Sequence, residues 1–246
     1  MESYNEFAYI YDELMTDFNY EDWANYIFEI FNKNKINPQN VLEMACGTGN
    51  LTYEFAKKGY KVTAFDLSEE MLSIAYEKLG QYKRVKLLNL DMTSFKLSDK
   101  YQAVVSICDS INYITSEEEL LKVFNNVYSH LEEDGIFIFD INSYYKLTNI
   151  IGNNTFVNDN EENFYVWENY FEENKNIVNF YLTFFVKDES GMYERFDEHH
   201  KERAYTVFEI ERNLKKAGFK DIKYYEAFSF EDVNDKTNRI NFVAIK

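Results

Sequence analysis

Apolar residues in this chain fall into short runs separated by amphipathic stretches, the pattern of strands alternating with helices. The runs lie at 41–44, 61–66, 85–88, 103–109 and 136–141, and helical periodicity fills 50–58, 69–79 and the stretch opening at Ser116. Ser116-Glu117-Glu118-Glu119 and Thr206-Val207-Phe208-Glu209 have the spacing of capping boxes, so a helix is expected to start at each. Gly59 and Gly218 each follow lysine-rich helical ends, where a left-handed residue and basic side chains suit a C-terminus. Residues 1–35 read as helical and aromatic, and Pro38 then separates them from the first strand. A last helix at 206–217 leads to an antiparallel hairpin near 219–229 and 239–245. The expected fold class is α/β: a seven-stranded Rossmann-like sheet with helices on both faces.

Residues 143–203 break this alternation. They lack a clear helical pattern and carry three runs rich in aromatic and β-branched residues, at 164–171, 177–186 and 192–203. Asn174 and Ser190-Gly191 mark the turns between the runs. The stretch reads as an antiparallel β subdomain inserted between 1–142 and 204–246, a lid over substrate or a dimer surface.

The chemistry gathers at strand ends. In Val41-Leu42-Glu43-Met44-Ala45-Cys46-Gly47-Thr48-Gly49-Asn50 an apolar strand ends in an acid and turns through two glycines into a helix. Glycine allows a sharp turn and the close approach of a ligand. The next strands end at Asp66, at Asp91-Met92 and at Asp109, so four in a row close on a carboxylate. Open α/β sheets bind ligands at that side. Asp66, 17 residues beyond Gly49, is placed for ribose hydroxyls. A dinucleotide fingerprint fails, because its third glycine would fall on Thr52, and no Gly-Lys-Ser/Thr follows to make a phosphate loop.

Glu43-Met44-Ala45-Cys46-Gly47-Thr48-Gly49 resembles the acid-x-Gly-x-Gly-x-Gly loop of class I S-adenosylmethionine-dependent methyltransferases, with Ala45 in place of the first glycine. The resemblance takes in Asp66-Leu67-Ser68, Asp91-Met92, the segment from Cys108 to Tyr113 and 131–135, and resumes at 203–206 and 217–219. It implies S-adenosylmethionine as cofactor. Glu43, Ala45, Gly47 and Gly49 would then hold the loop and the amino-acid end. Asp66 and Leu67 would meet the ribose, Asp91 and Met92 the adenine, and Cys108 the methionine part. Tyr11, beside Asp12, resembles an aromatic that closes over the cofactor, with Tyr20 and Trp23 following; core packing is the competing role for each. Asp109 and Tyr113 stand where relatives contact substrate. Of the neighbours His199 and His200, alternate faces of a strand let at most one reach the site, and the resemblance favours His200.

Composition narrows the partners. The net charge of −17 and the absence of a Lys/Arg cluster argue against nucleic acid and anionic membranes. Residues 151–200 hold 11 acidic against 3 basic residues, which favours a cationic or amine substrate. Two cysteines, Cys46 and Cys108, give no disulfide framework, and no metal-ligand spacing joins them to the three histidines. The start Met1-Glu2-Ser3-Tyr4 does not read as a signal peptide, so a cytoplasmic monomer or homodimer is expected. The leading expectation is methylation of a small-molecule amine. O-methylation of a carboxylate or hydroxyl, aminopropyl transfer, and cofactor binding without turnover are the alternatives.

Overall fold

The structure is a computed structural model, described for residues 8, 11–12, 18–159, 163–187 and 190–246. Residues 1–4, and the rest of the aromatic N-terminal stretch before residue 18 apart from residues 8, 11 and 12, lie outside the described residues. Helix α1 (Tyr20–Lys33) starts at Asn19, whose side chain accepts from the N–H groups of Glu21 and Asp22. It leads to β1 (Asn40–Met44), α2 (Asn50–Lys57), β2 (Lys61–Asp66), α3 (Glu69–Leu79), β3 (Val85–Asn89) and β4 (Tyr101–Ser106). A 3-10 turn (Ser110–Tyr113), α4 (Glu117–His130) and β5 (Leu131–Asn142) follow. After the second sheet, α5 (Val207–Ala217), β10 (Asp221–Glu226) and β11 (Arg239–Ile245) complete the fold.

These strands form one seven-stranded sheet in the order β10-β11-β5-β4-β1-β2-β3. All neighbours are parallel except β11, which runs antiparallel to β5 and β10. From β1 the chain winds outward through β2 and β3, then returns to β4 on the other side of β1. That reversal is the switch point at which such sheets open a ligand crevice. Strand alternation sends Phe137 and Phe139 to the face under α4 and α5, and Ile136 and Ile138 to the face under α1, α2 and α3. The sheet is thus buried on both faces.

The Thr206 capping box is complete: Glu209 N–H donates to Thr206 Oγ1, and Thr206 N–H donates to the Glu209 carboxylate. At Ser116 the forward bond from Glu119 N–H is present. Gly218 takes a φ of 112° just past α5, the left-handed turn expected of it.

The inserted stretch differs from expectation in two respects. It opens with a π-helical turn (Lys146–Ile151), and its antiparallel sheet has four strands, not three. They run in the order β6 (Thr155–Asp159), β7 (Asn163–Glu172), β8 (Ile177–Lys187) and β9 (Tyr193–Arg203). The short β6 was missed because it is mostly exposed and polar at its ends, so no apolar alternation marks it. The π turn buries only Leu147 and Ile151, too few for an amphipathic pattern. Those two side chains pack with Val178, Phe180 and Ala204 in a small core of their own.

Candidate active site

The glycine loop joins β1 to α2 through alternate left-handed residues: Ala45 at φ 52°, Gly47 at 52° and Gly49 at 80°. Cys46 N–H donates to Phe65 O at 3.0 Å, and Gly47 N–H to Asp66 Oδ2 at 2.8 Å, so β2 braces the turn. The two glycines serve different ends. A Cβ on Gly49 would lie 2.7 Å from Leu79 Cδ1 and 3.2 Å from Ala75 Cβ, so its bareness lets α3 pack closely. A Cβ on Gly47 would meet nothing within 4 Å. Space stands open there for a ligand to reach the backbone.

Glu43 lies beneath the loop, buried, and accepts from Thr52 Oγ1 at 2.6 Å. Burial pushes its carboxyl up to about 8, against the pull of the Thr52 hydroxyl, so it is protonated at neutral pH. Glu43 therefore braces the first turn of α2 from within. Thr52, which spoils a dinucleotide fingerprint, is its partner.

Asp66 accepts from two backbone N–H groups, Gly47 at 2.8 Å and Ser68 at 2.9 Å. Burial raises its carboxyl from the usual range, and those bonds oppose the rise. A carboxylate offers about four lone-pair positions, so these bonds leave acceptor capacity on Asp66. Leu67 beside it is exposed. At the next strand end Asp91 Oδ1 accepts from the N–H and hydroxyl of Thr93, at 2.7 and 2.8 Å. Met92 is half-buried against the core.

At the end of β4 two consecutive non-glycine residues are left-handed, Cys108 at φ 61° and Asp109 at 52°. Such strain persists only where the surroundings hold it. Cys108 Sγ lies 4.0 Å from Tyr20 Oη, which is 3.4 Å from Tyr11 Oη. Burial pushes the Cys108 thiol and both phenols up, so all three stay neutral. Trp23 takes the competing role named for it, core packing. It is 0% exposed and packs on Phe18 and Phe228, at ring separations of 5.8 and 4.5 Å. Its bulk belongs to the core, and Phe18 relays that support to Tyr20 at 4.9 Å.

On the insertion side, β9 alternates exposed and buried side chains. His199 faces outward and stacks on Tyr181, with ring centres 4.5 Å apart. His200 faces inward, edge-on to Tyr113 at 5.9 Å. Burial, with a smaller contribution from His199, depresses the His200 imidazole to about 4, so it is neutral at pH 7. Tyr113 is 39% exposed.

Two groups of polar side chains were not anticipated. Asp12 accepts from Thr48 Oγ1 at 2.6 Å, Asn50 Nδ2 at 2.8 Å and Lys78 Nζ at 3.0 Å, which latches the N-terminal segment to the glycine loop. Although burial opposes it, these bonds hold its carboxyl below the usual range. The second group surrounds Asp109. Arg239 Nη2 donates to Asp109 Oδ1 at 2.7 Å, and its Nη1 donates to Asp140 Oδ2. Asp109 N–H also donates to Asp140 Oδ2, at 3.1 Å. Asp140 ends a fifth strand in an acid and could have been found by the rule that picked out the first four. Arg239 lies 130 residues from Asp109 and carried no local signal. Among the described residues no cluster of His, Cys, Asp and Glu is suited to a metal, and His130 is engaged by Leu97 N–H at 3.0 Å. No described helix is long and apolar enough to cross a membrane.

A doubly wound sheet with an open glycine loop at its switch point and acids at the following strand ends defines a protein that binds an adenosine-type cofactor. Comparison with known proteins makes this specific. A family model described as a methyltransferase domain matches residues 41–135. The chain is 34% identical over 246 residues to a putative methyltransferase of Geobacillus sp. (strain WCH70), covering 99% of this chain and 100% of the relative. The crystal structure of an S-adenosylmethionine-dependent methyltransferase from Clostridium acetobutylicum ATCC 824 superposes with a TM-score of 0.90 at 41% identity, covering 98% of each chain. A partial match, 34% over 101 residues and 41% of each chain, is to a dTDP-3-amino-3,4,6-trideoxy-alpha-D-glucopyranose N,N-dimethyltransferase of Streptomyces venezuelae. The chain belongs to the class I S-adenosylmethionine-dependent methyltransferases. It is an enzyme whose cofactor is S-adenosylmethionine, and methyl transfer, not aminopropyl transfer, is the activity its family carries.

Proposed function

We propose that this methyltransferase acts on the nitrogen of a small-molecule amine. The observation that carries the reading is the character of the side chains around Tyr113. They are the Asp109 carboxylate and a neutral His200, both able to accept a hydrogen bond from an N–H group. The acidic composition of the insertion supports it by favouring approach of a cation. The partial match to an amino-sugar N,N-dimethyltransferase points the same way.

The bound cofactor supplies a methyl group already activated on a sulfonium. The protein then has to bring the acceptor into line and exclude water, which can contribute about 7–11 kcal/mol. In this reading Gly47, Gly49 and Asp66 hold the cofactor against the sheet. Leu67 lies beside Asp66 at the ribose, Asp91 and Met92 border the adenine, and Glu43 and Ala45 shape the loop beneath the amino-acid end. Cys108, Tyr11 and Tyr20 wall the methionine part, with Trp23 behind them. Asp109, Tyr113 and His200 meet the acceptor, and the inserted sheet serves as its cover.

The test is methyl transfer to matched small molecules differing only in the acceptor group: amine, alcohol and carboxylate on one carbon frame, with amino-sugar nucleotides included. Turnover confined to amines is expected. Turnover of an alcohol or carboxylate in preference to its amine would replace this reading with O-methylation.

A further inference from the structure

The insertion touches the acceptor side at both of its crossings, and both crossings end on the same buried polar cluster. Lys146, opening the π turn, donates to Asn142 Oδ1 at 2.8 Å. Glu202, closing β9, accepts from Asn142 Nδ2 at 3.1 Å; Arg239 Nη2 donates to Asn142 Oδ1 at 3.3 Å and to Asp109 Oδ1 at 2.7 Å, and the Glu202 and Asp109 carboxyls lie within reach of a shared hydrogen bond. Asn112 stitches the two crossings together. Its Nδ2 donates to Arg203 O at 2.9 Å and Asn142 O at 3.2 Å, and its Oδ1 accepts from Asn142 N–H at 3.0 Å. Glu202 is only 3% exposed, whereas the Asp109 side chain is 17% exposed. An acceptor would therefore reach Asp109 and not Glu202.

We propose that Glu202 is a positioning residue for methyl acceptance: from the return strand of the insertion it fixes the Asp109 carboxylate that takes an N–H of the acceptor. The proposal rests on the amine reading for the identity of that acceptor. Two carboxylates sharing a buried hydrogen bond hold one proton between them, because both charges cannot be kept so close out of water. Arg239 is bound to Asp109 and not to Glu202, so Glu202 is the member that carries the proton. Burial, and then the Asp109 charge, push the Glu202 carboxyl well above its usual range, in agreement with that assignment. Asp140 Oδ1, fully buried behind the pair, has no hydrogen-bond partner, so the cluster is not closed on itself.

With Asp109 accepting one N–H, the nitrogen lone pair is left free to face the methyl group. Transfer forms an N–C bond as the C–S bond breaks, its electron pair staying on sulfur. The proton left on the methylated nitrogen passes to solvent. Glu202 keeps its own proton throughout.

The role has a pH signature. Lys146 and Asp109 face Glu202 directly, Arg239 and Asp140 lie behind Asp109, His200 shares its face of β9, and Tyr11 faces Asp109 from the N-terminal segment. In this setting loss of the Glu202 proton sets two carboxylates against each other and turns Asp109 away. Activity should fall at alkaline pH.

Two measurements test this on the full chain with S-adenosylhomocysteine or S-adenosylmethionine bound. The first is carbon-13 NMR of labelled glutamate carboxyls, with Glu202 assigned by its loss in Glu202→Gln. The signal should remain that of a protonated acid at pH 7; titration in the ordinary carboxylate range would overturn the proposal. The second is turnover of the acceptor found among the matched probes. Glu202→Ala should lower kcat at least tenfold with the S-adenosylmethionine Kd unchanged. Glu202→Gln, which keeps a donor toward Asp109, should recover most of that rate and abolish the alkaline limb. Equal losses in both variants with the limb intact would overturn the proposal. If the acceptor proves to be an alcohol or carboxylate, the amine reading fails, while the NMR signal and the alkaline limb still judge Glu202.

Discussion

The glycine loop and the return strand of the insertion, assigned above to one proposed site, are built by opposite means. The loop relies on backbone: three left-handed residues, space for a ligand beside Gly47, and the Gly47 N–H received by Asp66. The return strand relies on side chains: His200 and Glu202 point inward by strand alternation, and ion pairs reaching across the sheet hold what they face. A cofactor common to a whole family suits a site written in backbone, whereas acceptor choice suits side chains that can be exchanged without remaking the turn. Substitutions in the two regions should therefore fail differently.

The largest effect is expected on the insertion side. Arg239→Leu leaves the buried Asp140 and the half-buried Asp109 without their cation, and breaking such a pair costs about 3–5 kcal/mol. Urea unfolding should show it. Next comes Glu43, whose folded-state value of about 8 lies above the ordinary 4.5. A raised value means that the stability linked to this group is full below about 4.5 and is lost as pH rises from there to about 8. Glu43→Gln should flatten that slope in unfolding curves taken at pH 5 and pH 8, and should be the more stable protein at pH 8.

The two glycines sharpen the contrast within the loop. Gly49→Ala meets Leu79 and Ala75 as well as its own left-handed backbone, so stability should fall by about 1–3 kcal/mol. Gly47→Ala meets no neighbour and should cost about 1–2 kcal/mol of backbone strain, with a larger loss of cofactor affinity because its methyl fills the open space. Equal losses of affinity in the two variants would erase the distinction drawn between them. The smallest effect is expected at Ala45, already left-handed at φ 52°. Ala45→Gly relieves strain but frees the unfolded chain, so stability should move by less than about 1 kcal/mol, with cofactor binding kept.

The same contrast explains what the chain discloses before its structure is seen. Local patterns carried the seven-stranded sheet, the strand-end acids and the glycine loop, since each depends on neighbours a few residues away. A period of two set His199 and His200 on opposite faces, and the family resemblance chose His200 as the inward one. Arg239 and Glu202 gave no such sign, because their meaning depends on contacts with Asp109 across 130 and 93 residues. For Trp23 the sequence leaves cofactor contact and core packing both open, and its packing against Phe18 and Phe228 places it in the core. The strand β6 and the π turn escaped because neither carries a full apolar period.

The most direct test of the account is calorimetric titration of S-adenosylmethionine into the wild-type chain and Asp66→Ala, with circular dichroism confirming that both are folded. Asp66 braces Gly47 and, in the proposed site, meets the ligand with its remaining acceptor capacity, so binding by the wild type and its loss in the variant are predicted. Wild-type affinity in a folded Asp66→Ala protein would contradict the placement of the cofactor at these strand ends.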